Sequence, residues 1–291
     1  MATAALTRPS AALVWWSAVR PATLAASVAP VLVGTAIAIH QGGAGLGAGL
    51  AALIVGLGMQ LGVNFANDYS DFVRGADAVR VGPLRASSSG FVSPEHVRRA
   101  AFGAFGVAAL AGVALSIALD WRLLIAGAAC LLAGWLYTGG PRPYGYLGLG
   151  ELFVFVFFGL VATAGTVYVE TGRMTSLAWL MGCAMGFLAT AILTLNNLRD
   201  IDTDRPAGKR TLATRIGRKR TRWLLVGLVC AAYAVSLVAG VVTTLFAMPL
   251  AFIAVRTAFT SASPPALVQA LKRMAMAELV YALLFALGML L

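Results

Sequence analysis

Asn64-Phe65-Ala66-Asn67-Asp68-Tyr69-Ser70-Asp71 closes an apolar run that begins near residue 44, and Asp77 follows six residues later. A second ending of the same kind, Asn196-Asn197-Leu198-Arg199-Asp200-Ile201-Asp202-Thr203-Asp204, closes the run 175–196. The chain has only 11 Asp and Glu in 291 residues, and six of them, counting Asp77, belong to these two clusters. A bilayer-spanning helix needs roughly 20 mostly apolar residues, and both runs meet that length. Carboxylates at the ends of such segments are expensive and mark functional positions. The pattern therefore reads as membrane helices that present acids at one end.

The rest of the sequence agrees. It is 60% hydrophobic and 11% charged, with a mean hydropathy of +0.86, which no soluble domain of this size needs. Apolar runs occur near 22–40, 44–66, 98–119, 121–137, 147–169, 175–196, 223–240, 242–259 and 274–291. The expected architecture is an all-α polytopic membrane protein, one domain over 1–291, with nine transmembrane helices. The eighth run is the weakest, because Pro249 interrupts it. With the N-terminus in the cytoplasm, 20 of the 22 Lys and Arg fall on the inner side, leaving only Arg122 and Arg173 outside. That asymmetry fixes the expected orientation. It also places both acidic clusters on the cytoplasmic side and the C-terminus outside. The net charge of +11 is then explained by topology and contact with anionic lipid, with no need for nucleic acid. Ala36-Ile37-Ala38 resembles a signal cleavage site, but the apolar run before it is too long for one and begins after Trp15, Trp16 and Arg20, which read as interfacial anchors. Cys130, Cys183 and Cys230 lie singly in the expected spans, and His40 and His96 are isolated, so neither a disulfide framework nor a thiol or imidazole metal site is expected.

Helical spacing places Asn64, Asp68 and Asp71 on one face, with Asn67 and Asp71 forming a further i, i+4 pair. Gly75 then frees the backbone to turn, letting Asp77 fold back. Asn196, Asp200 and Asp204 share a face in the second cluster, whereas Asp202 points elsewhere and is expected to be solvated. Oxygen ligands gathered this way suit Mg²⁺, which is commonly held by one or two carboxylates plus substrate phosphates. Solvated helix ends, with acids paired to nearby arginines, are the plainer reading. Two matched faces on one side of the membrane argue against it.

Basic residues follow each cluster: Arg74, Arg80 and Arg85 after the first, then Arg205, Lys209, Arg210, Arg215, Arg218, Lys219, Arg220 and Arg222 after the second. Arg binds phosphate oxygens bidentately and Lys as a point charge. Arg85, Lys209 and Arg210 stand nearest the acids and are the candidate diphosphate ligands. A third stretch, Tyr137-Thr138-Gly139-Gly140-Pro141-Arg142-Pro143-Tyr144-Gly145-Tyr146-Leu147-Gly148-Leu149-Gly150-Glu151, is too rich in Gly, Pro and Tyr for a mere connector. The span after it carries Phe153, Phe155, Phe157 and Phe158. Aromatic faces stabilise a cation by ~0.5–2 kcal/mol each, although lipid-facing Phe is the commoner case. Glu151 reads equally as a base, an arginine partner or a helix-end acid.

These residues resemble the UbiA-type intramembrane prenyltransferase superfamily over nearly the whole chain, from Arg20-Pro21 to the last span. The resemblance implies nine helices around a central cavity, with active-site loops near 67–97 and 197–222. It is closest to the branch that prenylates 1,4-dihydroxy-2-naphthoate in menaquinone synthesis. Ala66–Asp71 with Arg74-Gly75-Ala76-Asp77 carries that finer match, as do the Tyr137–Glu151 stretch and Asn196–Asp200 with Asp204, Lys209, Arg210, Thr211 and Leu212. The resemblance implies Asp68, Asp71, Asp77, Asp200 and Asp204 as catalytic. It implies Mg²⁺ held by Asp68, Asp71, Asp200 and Asp204 with Asn64 and Asn196. Arg85, Lys209, Arg210, Arg142 and Asn67 are then expected on the diphosphate, and Tyr137, Tyr144, Glu151, Phe155 and Asn197 around acceptor or prenyl tail. The implied partners are polyprenyl diphosphate, 1,4-dihydroxy-2-naphthoate and the lipid bilayer of the cell membrane. Two features depart from the wider superfamily. Asp71 and Asp77 are six residues apart where many members have four, and the Tyr-x-x-x-Lys motif appears as Tyr137 with Arg142 one position late. Both agree with the naphthoate branch. A benzoate, homogentisate, haem or lipid-glycerol acceptor is the rival within the superfamily. A cation transporter is the rival outside it, disfavoured because the acids lie at span ends, whereas transporter sites lie near the bilayer midplane.

Overall fold

The computed structural model describes residues 10–43, 45–75 and 84–290, and its regular structure is entirely helical. A short helix α1 (Ala11–Val19) leads into α2 (Pro21–His40), α3 (Leu46–Val73), α4 (Pro94–Ala118) and α5 (Leu123–Leu136). A 3₁₀ turn at Tyr144–Leu147 precedes α6 (Gly150–Thr171), α7 (Ser176–Asp204), α8 (Leu212–Val238), α9 (Val242–Thr260) and α10 (Pro264–Leu290). Among the described residues, eight helices are long and apolar enough to cross a bilayer, and α5, with 14 residues, is the shorter ninth. The expected run 121–137 is cut short because Asp120 accepts the Arg122 N–H and turns the chain before the helix can start. This is a multi-pass membrane protein.

Helices α3 and α7 have 28 and 29 residues. At 1.5 Å per residue each reaches roughly 42 Å, beyond the ~30 Å hydrocarbon layer. Their last turns, which carry the two acidic clusters, therefore stand at the edge of the apolar region. Lipid accounts for the opposite surface: Leu110, Ile117, Ile125 and Leu132 of α4 and α5 are each at least 60% exposed, a liability in water and an ordinary outward face in a bilayer.

Two apolar cores form. The larger joins α2, α6, α7, α8, α9 and α10 around Ile37, Met185, Leu195, Met274 and Phe285. The smaller joins α1, α3 and α4 around Val14, Phe65, Val97 and Phe105. Trp15, expected as an interfacial anchor, packs edge-on against Phe65 with ring centroids 5.8 Å apart. Within α6, Phe155–Val161 is π-helical, a local widening frequent at functional sites. Gly159 lies there against α7 so closely that a Cβ would meet Gly186 N at 2.6 Å, so glycine on both helices is what permits the approach. Pro249 opens the α-helical part of α9 after a 3₁₀ segment, where its missing N–H costs nothing.

Candidate active site

Between the two cores lies a cavity of about 510 Å³, walled by α2, α3, α4, α5, α6 and α7. Most of the wall is aliphatic. Tyr144 stacks on Phe153 (centroids 4.0 Å) and Phe153 on Phe157 (6.0 Å), and these rings form one aromatic side of it. Its end nearest the two acidic clusters is polar, with Arg20, Asn64, Asn67, Tyr137 and Asn196 on the wall. Arg20, expected as an interfacial anchor, adopts φ 52° at the α1–α2 junction, next to Pro21, and lines the cavity. A helical conformation before proline is disfavoured, so the junction breaks here.

The last turns of α3 and α7 both reach this end, where Asn67 and Asn196 line the wall. The Asp71 carboxylate is fully buried and receives three groups: Lys209 Nζ at 2.6 Å and the Tyr146 hydroxyl at 2.5 Å on Oδ1, and Arg85 Nη2 at 2.9 Å on Oδ2. Lys209 also reaches Asp204, at 3.9 Å. The two acidic clusters are thus joined through a lysine, and among the described residues no three acids gather at one point. Asp200 is held by Arg199 at 2.5 Å, and Arg199 also donates to Asn196 Oδ1 at 2.9 Å. Asp202 is 79% exposed and pairs with Arg218 at 2.8 Å, the solvated position expected for it.

The first cluster divides its work differently from the single face that spacing implied. Asp68 accepts the backbone N–H groups of Ala86 and Ser87 at 2.9 and 3.0 Å, so both its oxygens organise the turn that carries Arg85. Asn64 donates to Val19 O at 2.9 Å and Thr23 Oγ1 at 3.1 Å, and accepts from Gln60, which ties α3 to the α1–α2 junction. The Asn67 side-chain oxygen is buried on this wall without a hydrogen-bond partner. Asp77 and Arg80 lie outside the described residues.

Of the other expected residues, Tyr137 and Tyr144 line the cavity. Glu151 and Asn197 sit behind the wall and bond to each other at 2.9 Å. Phe155 turns away onto Phe187 of α7, centroids 5.0 Å apart, because two residues along a helix face nearly opposite sides. Arg142 is exposed on the turn, and Arg210 contributes its backbone N–H, which donates to Tyr146 O at 3.0 Å.

Tyr146 itself was not among the expected site residues. Its ring centroid lies 4.8 Å from Lys209 Nζ and 5.3 Å from the Arg74 guanidinium. Arg74 in turn donates to the carbonyls of Thr138 and Gly140, locking the turn over the end of α3. Burial, then the Asp71 carboxylate, raises the Tyr146 phenol above its ordinary pKa, so it remains a donor. Nothing periodic marks a residue in a turn, and only the Gly, Pro and Tyr content of its stretch hinted at it.

The UbiA prenyltransferase family matches residues 27–263. The chain belongs to that family. Among relatives, it is 42% identical over 274 residues to the 1,4-dihydroxy-2-naphthoate octaprenyltransferase of Mycobacterium tuberculosis (strain ATCC 25618 / H37Rv), covering 92% of this chain and 94% of the relative. Its fold is that of a UbiA homolog from Aeropyrum pernix K1 in the apo state (TM-score 0.68, 15% identity, 92% and 96% coverage). A UbiA homolog from Archaeoglobus fulgidus bound to DMAPP and Mg²⁺ is also similar (TM-score 0.62, 16% identity, 94% and 99% coverage). For this UbiA-family chain, the donor set at the α3–α7 junction fits a hard divalent cation. Every candidate ligand is a carboxylate or amide oxygen. Asn67 Oδ1 has no hydrogen bond, and Asp71 Oδ2, although ion-paired with Arg85, has none either.

Proposed function

We propose that this protein transfers a polyprenyl group from polyprenyl diphosphate to 1,4-dihydroxy-2-naphthoate, releasing CO₂ and diphosphate and giving demethylmenaquinol, the quinol form of demethylmenaquinone. The observation that carries the reading is the junction of the two acidic clusters, flanked by Arg85 and Lys209, at the polar end of an otherwise apolar cavity. The naphthoate acceptor draws on the identity to relatives of that name. Asn67, Asp71, Asp200 and Asp204, with Asn196, would hold Mg²⁺, and Asp68 would serve the site by fixing the Arg85 turn. Bound there, the metal supplies charge neutralisation to the departing diphosphate. Lys209 and Arg85 are already placed to take the same charge, in a preorganised setting.

The cavity takes the prenyl tail. Heterolysis of the allylic C–O bond sends its electron pair to the diphosphate and leaves an allylic cation beside Tyr144, Phe153 and Phe157, whose ring faces stabilise positive charge. The carboxylate-bearing ring carbon attacks, and loss of CO₂ returns its bonding pair to the ring. Among the described residues Arg20 is the one cation on the cavity wall, and its charge suits the acceptor's carboxylate. The enzyme works in the cytoplasmic membrane, with its N-terminus and both active-site loops inside.

Purified protein given Mg²⁺, a polyprenyl diphosphate and a panel of aromatic acceptors should prenylate dihydroxynaphthoate at least tenfold faster than 4-hydroxybenzoate. Two donor oxygens on a larger π system make the attacked carbon more electron-rich. Mass spectrometry that finds the benzoate preferred would move this protein to another acceptor.

A further inference from the structure

Tyr146 joins three segments that are far apart in sequence. Its hydroxyl donates to Asp71 Oδ1 on α3 at 2.5 Å, its carbonyl accepts the Arg210 N–H at 3.0 Å, and its ring lies beside the cations of Arg74 and Lys209. The same turn is fastened next door, where Arg215 Nη2 donates to Leu147 O at 2.9 Å. Gly145 N–H donates to Tyr137 O at 3.0 Å, which carries the connection back to the cavity wall. An ionised carboxylate has about four acceptor positions. On Asp71, the two facing Oδ1 are taken by Tyr146 and Lys209, whereas Oδ2 has an ion pair and no hydrogen bond. The phenol therefore holds Oδ1 toward Lys209 while Oδ2 faces Arg85. It also seats Lys209, since the ring and the carboxylate that contact its ammonium belong to one bonded pair.

We propose that Tyr146 is a positioning residue that holds Asp71 and Lys209 in the single arrangement that receives the diphosphate. This rests on the prenyl-transfer reading above. It adds to that reading a residue from the central turn, which couples the two acidic ends without itself touching the bond that breaks.

Two variants separate its two contributions. Tyr146→Phe removes the hydroxyl and keeps the ring, and Tyr146→Leu removes both. The full-length protein in detergent is titrated with pyrophosphate in the presence of Mg²⁺ by calorimetry, with no acceptor present, so the result does not depend on which acceptor is used. Tyr146→Phe is expected to weaken pyrophosphate binding about tenfold and Tyr146→Leu about a hundredfold. In turnover assays both should lower kcat while KM for the aromatic acceptor stays within twofold, a split that general loosening of the fold would not produce. Thermal melts show whether each variant is folded, and Tyr146→Phe, which changes one oxygen, serves as the reference if Tyr146→Leu is not. Wild-type pyrophosphate affinity in a folded Tyr146→Phe variant, or a rise in acceptor KM equal to the fall in kcat, would overturn the proposal. A wild-type protein that binds pyrophosphate but leaves dihydroxynaphthoate untouched would instead count against the acceptor and leave Tyr146 in place.

Discussion

Replacing Asp71 with Ala lowers turnover at least a hundredfold and destabilises the folded protein. The carboxylate is fully buried and is the shared partner of Arg85, Lys209 and Tyr146. Breaking a buried ion pair by deleting one partner typically costs about 3–5 kcal/mol, and here two cations lose the same partner. A hundredfold rate loss corresponds to roughly 2.7 kcal/mol of transition-state stabilisation, a modest demand on a group that organises both ends of the site. Asp71→Asn keeps the shape and removes the charge, so it should recover much of the thermal stability and little of the rate. Initial rates alongside thermal melts separate the two effects. A folded Asp71→Ala protein with more than a tenth of wild-type turnover would contradict the central place given to this residue.

Removing divalent metal should abolish activity, and added Mg²⁺ should restore it. Diphosphate is a poor leaving group until its charge is neutralised, and the nearby cations are few and already engaged: Lys209 with two carboxylates, and Arg85 with Asp71. EDTA treatment followed by stepwise Mg²⁺ addition tests this, with rates expected to fall below a hundredth of the starting value and to recover fully. Undiminished turnover in EDTA would mean that the protein's own cations suffice. Thermal stability should change little in the same titration, because Asp68, Asp71 and Asp200 already have partners within the protein.

The helices were legible because lipid imposes one requirement on every span, and the runs written in the sequence recur as α2 to α10. The extent of α3 beyond its apolar run was legible too, since Asn67 and Asp71 continue its 3.6-residue period and Gly75, with φ +69°, marks the turn that follows. Periodicity could not tell which face of that last turn meets the cavity. Asp68 shares a helical face with Asn64 by count, yet a loop 18 residues on returns to claim both of its oxygens. The path of that loop is set by tertiary contacts and leaves no local signal. Tyr146 went unmarked for the same reason, lying in a turn whose partners come from α3 and from the segment before α8. Phe155 shows a further limit: aromatic content named the right helix, but only the register of α6 divides Phe153 and Phe157 on the cavity from Phe155 on Phe187.

The most direct test of the account follows the carboxyl carbon. Purified protein is incubated with Mg²⁺, polyprenyl diphosphate and 1,4-dihydroxy-2-naphthoate labelled in its carboxyl group, and CO₂ and prenylated product are counted together. Attack at the carboxylate-bearing carbon requires that group to leave before the ring can regain aromaticity, so labelled CO₂ should appear in a one-to-one ratio with product and with diphosphate. Label retained in the prenylated product, or CO₂ released without prenyl transfer, would contradict it.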